Sequence, residues 1–197
     1  MNKAVFFDRD GVLVAHHTDP RKGRFIHKKE HIIILPDVLK SLEKIKARGY
    51  LLFVISNQSA VAEGITTCEE VDEVNEFINS KLNNLIDKFY YCPHHPTGHG
   101  EVPESAKQFI TDCNCRKPEP GMLLKATKDF DIDLKESWLI GDMISDIVAG
   151  ARAGCKTILV ESPHSGKVIT TSKPFNTNIK PDYLVKGLDE VIPIILK

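Results

Sequence analysis

The sequence has no apolar run that approaches the ~20 residues a helix needs to cross a membrane. It also lacks an excess of either charge, because 26 basic residues are balanced by 27 acidic ones. That balance argues against a surface that binds nucleic acid or membranes through its overall charge. The first residues, MNKAVFFD, lack the long apolar stretch of a secretory signal peptide. We therefore expect a cytoplasmic protein with no membrane segment and no nucleic-acid partner.

Cysteine is also scarce. Five cysteines in 197 residues do not suggest the disulfide framework of a small secreted protein. The sequence shows no internal repeat, no low-complexity segment and no clear linker. Its length is sufficient for one domain with a sizeable core. We expect a single domain over residues 1–197 and, by default, a monomer.

Short apolar runs alternate with longer segments of helical periodicity. The alternation indicates β-α-β units and an α/β protein, with a Rossmann-like three-layer fold around a mostly parallel sheet. The runs are apolar throughout, as in strands that are buried on both faces. The predicted strands are 3–7, 51–56, 88–92, 137–142, 156–160 and 182–185, and the predicted helices are 37–48, 69–87, 121–130, 145–154 and 187–196.

Polar residues follow four of these strands, at the edge where ligands bind in open parallel sheets. Capping of the next helix explains one such residue, but four coincident clusters are harder to explain that way. The residues are Asp8 and Asp10, Ser56 and Asn57, Cys92 and His94, and Asp142 with Asp146.

The carboxylates in this set suggest a magnesium site. Asp8 and Asp10 are two residues apart, so an extended backbone would project both to one side, and Asp142 arrives from another strand. Crowded carboxylates repel, and Mg²⁺ prefers oxygen ligands together with a substrate phosphate. A carboxylate can also attack phosphorus to form an aspartyl-phosphate. The alternative is an acidic rim that is merely solvated.

Four segments carry a family resemblance: FFDRDGVL, VISNQS, CRKPEPGML and LIGDMISDIVAGARAG. They resemble the four motifs of the haloacid-dehalogenase-like (HAD-like) phosphatases. DRDG, NQS, CPHHP with C-x-C-R-K-P, and PGML further resemble the branch of heptose-1,7-bisphosphate phosphatases and their histidinol-phosphate phosphatase relatives. The resemblance covers roughly residues 3–160. It implies a minimal cap made of loops.

The resemblance implies a role for each acidic residue. Asp8 would be the nucleophile and a Mg²⁺ ligand. Asp10 would be the general acid and base, with its backbone carbonyl also on the metal. Asp142 would complete the protein ligands, and Asp146 would lie just outside them.

The resemblance also implies how the phosphate is held. Ser56 and Asn57 would bind the transferring phosphoryl group, Lys117 would neutralise it together with Asp8, and Arg116 would hold the substrate. The implied substrate is a small phosphorylated metabolite, D-glycero-D-manno-heptose 1,7-bisphosphate with its 7-phosphate removed. Histidinol phosphate, another sugar phosphate, or a catalytically silent phosphate-binding module are the alternatives.

The chain departs from the family at three places near the implied pocket. Val14 and Glu63 stand where the family has Asn and Arg. Segment 16–31 is basic and rich in histidine, unlike the family's usual stretch. The segment is a solvated loop, a contact for an anionic part of the substrate, or a metal site.

The remaining cluster has the pattern C-x-H…C-x-C and consists of Cys92, His94, Cys113 and Cys115. Four such ligands can close a tetrahedral Zn²⁺ site, and the resemblance implies the same set. The C-x-C spacing disfavours a disulfide, and four protein ligands leave no place for the water of a catalytic zinc. We therefore expect a structural, zinc-binding loop.

Eighteen residues separate His94 from Cys113, several more than in the family, with an insertion near 99–108. We expect His95 and His99 to be solvated rather than metal ligands. Cys68 and Cys155 should pack as small buried residues.

Overall fold

The computed structural model describes residues 1–16, 25–98, 101–162 and 175–197. Six parallel strands form one sheet in the order β3-β2-β1-β4-β5-β6. The strands are β1 (Ala4–Phe7), β2 (Leu51–Asn57), β3 (Lys88–Cys92), β4 (Trp138–Gly141), β5 (Lys156–Val160) and β6 (Tyr183–Val185). The helices are α1 (Val38–Lys46), α2 (Cys68–Lys81), α3 (Gly121–Phe130), α4 (Ile144–Ala153) and α5 (Leu188–Ile195).

The sheet has a separate core on each face, which confirms the three-layer prediction. Val5 and Phe7 of β1 point to the face covered by α1, α2 and α5. Ala4 and Phe6, one residue out of step, point to the face covered by α3 and α4. Alternation along a strand that is apolar throughout thus fills both layers.

The predicted helix 69–87 is too long at its C-terminal end. It begins with a capping box, in which Thr67 accepts a hydrogen bond from the Glu70 N–H and the Glu70 side chain accepts one from the Thr67 N–H. It ends at Lys81 because Asn83 and Asn84 adopt left-handed backbone angles, with φ of 53° and 55°. Leu85 nevertheless packs against the core.

The described parts of the segment between β1 and α1, residues 8–16 and 25–37, pair with each other and are called the flap below. Val14 and Ile34 form an antiparallel bridge, and Leu35 N donates to Leu13 O at 3.0 Å. In the described part of this segment the helical structure is a single short turn at Lys29–His31. The loop-built cap that the resemblance implied stays a prediction, because residues 17–24 lie outside the described residues. None of the helices in the described ranges has the length and apolarity required to cross a bilayer.

Candidate active site and metal centre

Three carboxylates meet at the carboxyl edge of the central strands. Asp8 follows β1 and Asp142 follows β4, which pairs directly with β1. Asp146 lies in the first turn of α4. One carboxylate oxygen from each lies within 4.8 Å of the others, and all three residues are buried. Asp8 and Asp142 therefore lie together, as expected for residues that follow neighbouring parallel strands.

Lys117 supplies a buried positive charge to this cluster. Its Nζ lies 2.8 Å from Asp8 Oδ1 and 2.6 Å from Asp146 Oδ1. It also donates to the Ile55 carbonyl oxygen at 2.9 Å. Burial acts to lower the pKa of Lys117, but the two carboxylates outweigh it and raise the pKa above its ordinary value. Lys117 is therefore charged at neutral pH, as its predicted role requires.

One lysine does not balance three buried carboxylates. Burial raises the pKa of Asp8 to about 8, and the neighbouring Asp146 and Asp142 carboxylates act in the same direction against Lys117. Asp142 Oδ1 is a buried carboxylate oxygen that accepts no hydrogen bond from the described residues, in a cluster with excess negative charge. Such oxygens are the ligands that a hard cation prefers. The residues present therefore fit Mg²⁺.

Asp10 does not join the crowded carboxylates, contrary to the expectation from its spacing. Its carboxylate accepts hydrogen bonds from Arg9 Nε and Nη2, each at 3.1 Å, and from Gln58 Nε2 at 3.1 Å. Strand β1 ends at Phe7, and the chain turns at Gly11, where φ is 95°. The two-residue alternation of a strand therefore does not extend to Asp10. The third carboxylate of the trio is Asp146 rather than Asp10.

Asp146 was expected just outside the metal ligands, and its contacts give it a defined place. Its Oδ2 accepts the Met143 N–H at 3.0 Å, and its Oδ1 faces Lys117. Gly141 makes room for it, since a Cβ there would lie 2.2 Å from Asp146 Cβ. Asp146 thus caps α4 and orients Lys117.

Ser56 and Asn57, the predicted phosphate ligands, lie at the end of β2. The Ser56 hydroxyl accepts a hydrogen bond from Gln58 Nε2 at 2.6 Å, which leaves its own proton for a phosphate oxygen. The Asn57 side chain makes two hydrogen bonds to the Lys117 backbone, each at 3.0 Å. Its Nδ2 donates to the Lys117 carbonyl oxygen, and its Oδ1 accepts from the Lys117 N–H. Asn57 therefore positions Lys117, a role that the sequence did not indicate.

The four zinc candidates come together as predicted. The Sγ atom of Cys115 lies 3.2 Å from that of Cys92 and 3.4 Å from that of Cys113, and Cys92 and Cys113 are 3.5 Å apart. His94 Nδ1 is 3.5 Å from Cys92 Sγ and 3.4 Å from Cys115 Sγ. A disulfide needs sulfurs about 2.04 Å apart, and these are farther.

These separations have the form of a tetrahedron. Zinc bonds of about 2.3 Å to sulfur and about 2.0 Å to nitrogen place tetrahedral ligands roughly 3.5–3.8 Å apart. The cluster is slightly tighter than that, so it needs little rearrangement to fit a zinc ion. Arg116, predicted to hold the substrate, follows the last ligand; its N–H contacts Cys113 Sγ at 3.4 Å and its Nη1 donates to the His94 carbonyl at 3.2 Å.

His95 is not solvated, contrary to expectation. It is buried, and its Nδ1 accepts hydrogen bonds from the Gly98 N–H at 3.0 Å and the Thr97 N–H at 3.3 Å. Its backbone pairs with the strand-like residues before Cys113, from Phe109 to Thr111. His95 thus closes the base of the inserted loop. Cys155 is buried as expected, whereas Cys68 is half-buried at the start of α2.

The insertion packs against the loop that follows β2. Residues Glu104–Phe109 form a short 3-10 helix preceded by Pro103. A Cβ at Gly64 would lie 2.3 Å from Pro103 Cγ and 3.6 Å from Ala106 Cβ. Glu63, where the family has arginine, is adjacent to this contact. The insertion therefore braces the loop carrying Glu63. His99 and Gly100 lie outside the described residues.

Arg9 was not predicted from the sequence to have a role, yet it contacts several residues of the site. Its guanidinium is 1% exposed and donates to Asp10, to Gln58 Oε1 at 2.9 Å, to Asn75 Oδ1 at 3.2 Å and to the Ile26 carbonyl at 2.9 Å. The position of this arginine between two motif aspartates could have indicated a role in the site. Most of the basic charge of segment 16–31 lies in 17–24, outside the described residues.

Comparisons with known proteins identify the family. A HAD-hydrolase-like family model matches residues 114–191. The chain is 37% identical over 174 residues to a D-glycero-β-D-manno-heptose-1,7-bisphosphate 7-phosphatase of Pasteurella multocida, covering 86% of each. It is 33% identical to the protein of that name from Haemophilus ducreyi, covering 98% of each.

A solved structure shares the fold. The D,D-heptose 1,7-bisphosphate phosphatase of B. bronchiseptica, solved with magnesium and phosphate, superposes with a TM-score of 0.73 at 24% identity, and the match covers 98% of each chain. From the identity and coverage of the two curated relatives, the chain belongs to the HAD-like phosphatases, in the branch that contains the heptose-1,7-bisphosphate 7-phosphatases.

Proposed function

We propose that this protein is a Mg²⁺-dependent phosphomonoesterase that removes the 7-phosphate of D-glycero-D-manno-heptose 1,7-bisphosphate. The observation that carries the proposal is the buried Asp8–Lys117 pair at 2.8 Å, beside the crowded Asp142 and Asp146 carboxylates. Identities of 33–37% to curated 7-phosphatases support this substrate over the alternatives.

The chain's own residues suit transfer through an aspartyl-phosphate. An Asp8 carboxylate oxygen attacks phosphorus, and Lys117 favours the ionised form that attack requires. Ser56 and Lys117 hold the phosphoryl oxygens, where charge neutralisation supplies most of the catalysis. Bound Mg²⁺ would be held by Asp8, Asp142 and the Asp10 carbonyl, and would offset the charge of the carboxylates and the phosphate.

Asp10 supplies the proton transfers. In the first step the leaving sugar oxygen takes a proton from Asp10 as the bond to phosphorus breaks. In the second step Asp10 accepts a proton from water, whose oxygen attacks the phosphorus of the aspartyl-phosphate and releases Asp8. Arg9 and Gln58 hold the Asp10 carboxylate before the substrate arrives.

The Cys92, His94, Cys113 and Cys115 cluster is proposed as a structural Zn²⁺ site. Its tetrahedral spacing and its four closed ligands support that role. Lys117 lies two residues beyond Cys115, so an ordered cluster fixes the start of the segment that carries the catalytic cation. Reduced thiolates are required, which suits a protein of the cytoplasm. A monomer remains our expectation.

Steady-state phosphate release across a substrate panel tests the proposal. The panel contains heptose 1,7-bisphosphate, a hexose bisphosphate, histidinol phosphate and p-nitrophenyl phosphate, each with and without Mg²⁺. We expect turnover only when Mg²⁺ is present, with the highest kcat/KM for the heptose bisphosphate. Preference for histidinol phosphate would overturn the substrate, and no turnover of any ester would indicate a silent binding module.

A further inference from the structure

Two side chains outside the four family motifs bind the same oxygen of Asp142. His16 Nε2 lies 2.8 Å from Asp142 Oδ2, and the Ser162 hydroxyl donates to the same atom at 2.8 Å. Asp142 is 0% exposed, and its other oxygen, Oδ1, accepts no hydrogen bond among the described residues. The two oxygens of one buried carboxylate therefore have different surroundings.

Gly11 makes the contact possible. A Cβ at this position would lie 2.3 Å from Asp142 Oδ2 and 2.4 Å from His16 Nε2, and φ is 95°. Glycine is required here because there is no room for a Cβ and because the backbone angle is left-handed. The turn after β1 is thus shaped to let the flap reach the carboxylate that follows β4.

The contact with Asp142 determines which nitrogen of the His16 ring carries a proton. An ionised carboxylate only accepts hydrogen bonds, so the His16 ring must carry a proton on Nε2. The Ser162 hydroxyl likewise turns its proton toward Oδ2. Two donors on Oδ2 leave Oδ1 as the atom free to bind a cation. Donors to a ligating carboxylate orient it and adjust how strongly it holds the metal.

We propose that His16 and Ser162 are positioning residues that hold Asp142 with Oδ1 directed at the cation, and so set the affinity for Mg²⁺. The inference rests on the proposed function, because it assumes that Asp142 is a metal ligand. It gives His16 a role other than solvation or substrate contact. Since Ser162 follows β5 and His16 follows β1, the contact also joins two loops across Asp142.

Two substitutions at His16 separate positioning from packing. His16→Gln keeps a neutral N–H donor at a reach similar to that of Nε2, whereas His16→Leu keeps the bulk and removes the donor. His27→Leu is the matched control, because His27 belongs to the same segment but contacts His31 and the Phe25 carbonyl instead. Ser162→Ala tests the second donor.

The main readout is the dissociation constant for Mg²⁺ without substrate, measured by calorimetric titration and repeated with Mn²⁺ by electron paramagnetic resonance. We expect His16→Leu to weaken Mg²⁺ binding about 10- to 100-fold, the range typical for such outer contacts. His16→Gln should stay within about threefold of wild type, Ser162→Ala should fall between, and His27→Leu should be unchanged. Zinc content should be the same in all variants, and any fall in the thermal midpoint of His16→Leu should be too small to account for its weaker Mg²⁺ binding.

Three results would overturn the inference. Unchanged Mg²⁺ affinity in His16→Leu removes the positioning role. Equal losses in His16→Leu and His16→Gln show that the ring acts as a ligand or by packing. A lowered thermal midpoint that accounts for the weaker binding shows a structural role. Wild-type protein that releases phosphate in a Mg²⁺-dependent manner keeps the proposed function intact in all three cases, whereas wild type that neither binds Mg²⁺ nor turns over refutes both.

Discussion

Lys117→Met is the substitution whose cost follows most directly from the structure. Methionine has a similar length but no charge, so it leaves Asp8 and Asp146 buried without the ammonium group that lies 2.8 Å and 2.6 Å from them. Removing one partner of a buried ion pair typically costs about 3–5 kcal/mol. We expect a loss of that size in the free energy of unfolding, together with a fall in kcat of at least ~10²-fold, as for loss of one electrostatic donor.

The pH dependence of this variant has a definite sign. Lys117 keeps its charge throughout the neutral range, since its pKa is raised by the two carboxylates against the effect of burial. In wild type Lys117 opposes the raised pKa of Asp8 and of Asp146. Without it, these buried carboxylates hold protons more tightly than in wild type, whereas the unfolded chain, with an ordinary pKa of about 3.9, releases them. A carboxyl group whose pKa is raised in the folded state stabilises the fold at low pH, and this contribution is lost as the pH rises toward the raised pKa. The deficit of Lys117→Met should therefore be larger at pH 8 than at pH 5.

Urea unfolding at both pH values, in Mg²⁺-free buffer without chelator, measures the deficit. Lys125→Met is the matched control, because Lys125 is 64% exposed and its Nζ lies 3.4 Å from Asp129. An exposed pair of this kind contributes little to stability, because solvent screens it. If Lys117→Met unfolds within ~1 kcal/mol of wild type and retains its kcat, the electrostatic account of the site is wrong.

Three further predictions concern the metals and the inserted loop. Because burial raises the pKa of Asp8 to about 8, Mg²⁺-free wild type should lose stability from pH 5 to pH 8. Mg²⁺ at 100 times its dissociation constant should restore about 2.7 kcal/mol at pH 8, and no response in thermal unfolding would contradict the cation site. Cys113→Ser should lower zinc content by elemental analysis together with the thermal midpoint, whereas Cys68→Ser should change neither. Gly64→Ala should cost more than Gly49→Ala in urea unfolding, because both positions have positive φ but only Gly64 meets Pro103. Equal costs would show that the insertion does not brace the loop.

Most of the fold could be predicted from apolar periodicity. Strand β3 and helix α3 have the predicted bounds, 88–92 and 121–130. Each is a regular apolar pattern with clear polar or glycine boundaries. The end of α2 could not be predicted, because the apolar stripe continues to Leu85 while two asparagines change the backbone direction before it. Periodicity records which side chains are buried, and it does not record where a backbone leaves the helix.

The candidate site was predictable where strands deliver its residues. Asp8, Asp142 and Ser56 lie at the ends of parallel strands, so topology alone places them at one edge. The orientation of Asp10 was not predictable, since it depends on a turn at Gly11 and on a hydrogen bond from Arg9. The contact of His16 with Asp142 depends likewise on how the flap folds back, which no local pattern encodes.

The proposed mechanism requires Asp8 to become phosphorylated during turnover. The most direct measurement is mass spectrometry of the Asp8 peptide after acid quench of wild type and Asp8→Asn with Mg²⁺ and heptose 1,7-bisphosphate. We expect one phosphoryl group on Asp8 in wild type, and neither the adduct nor phosphate release in Asp8→Asn. Turnover by Asp8→Asn at the wild-type rate would contradict the mechanism.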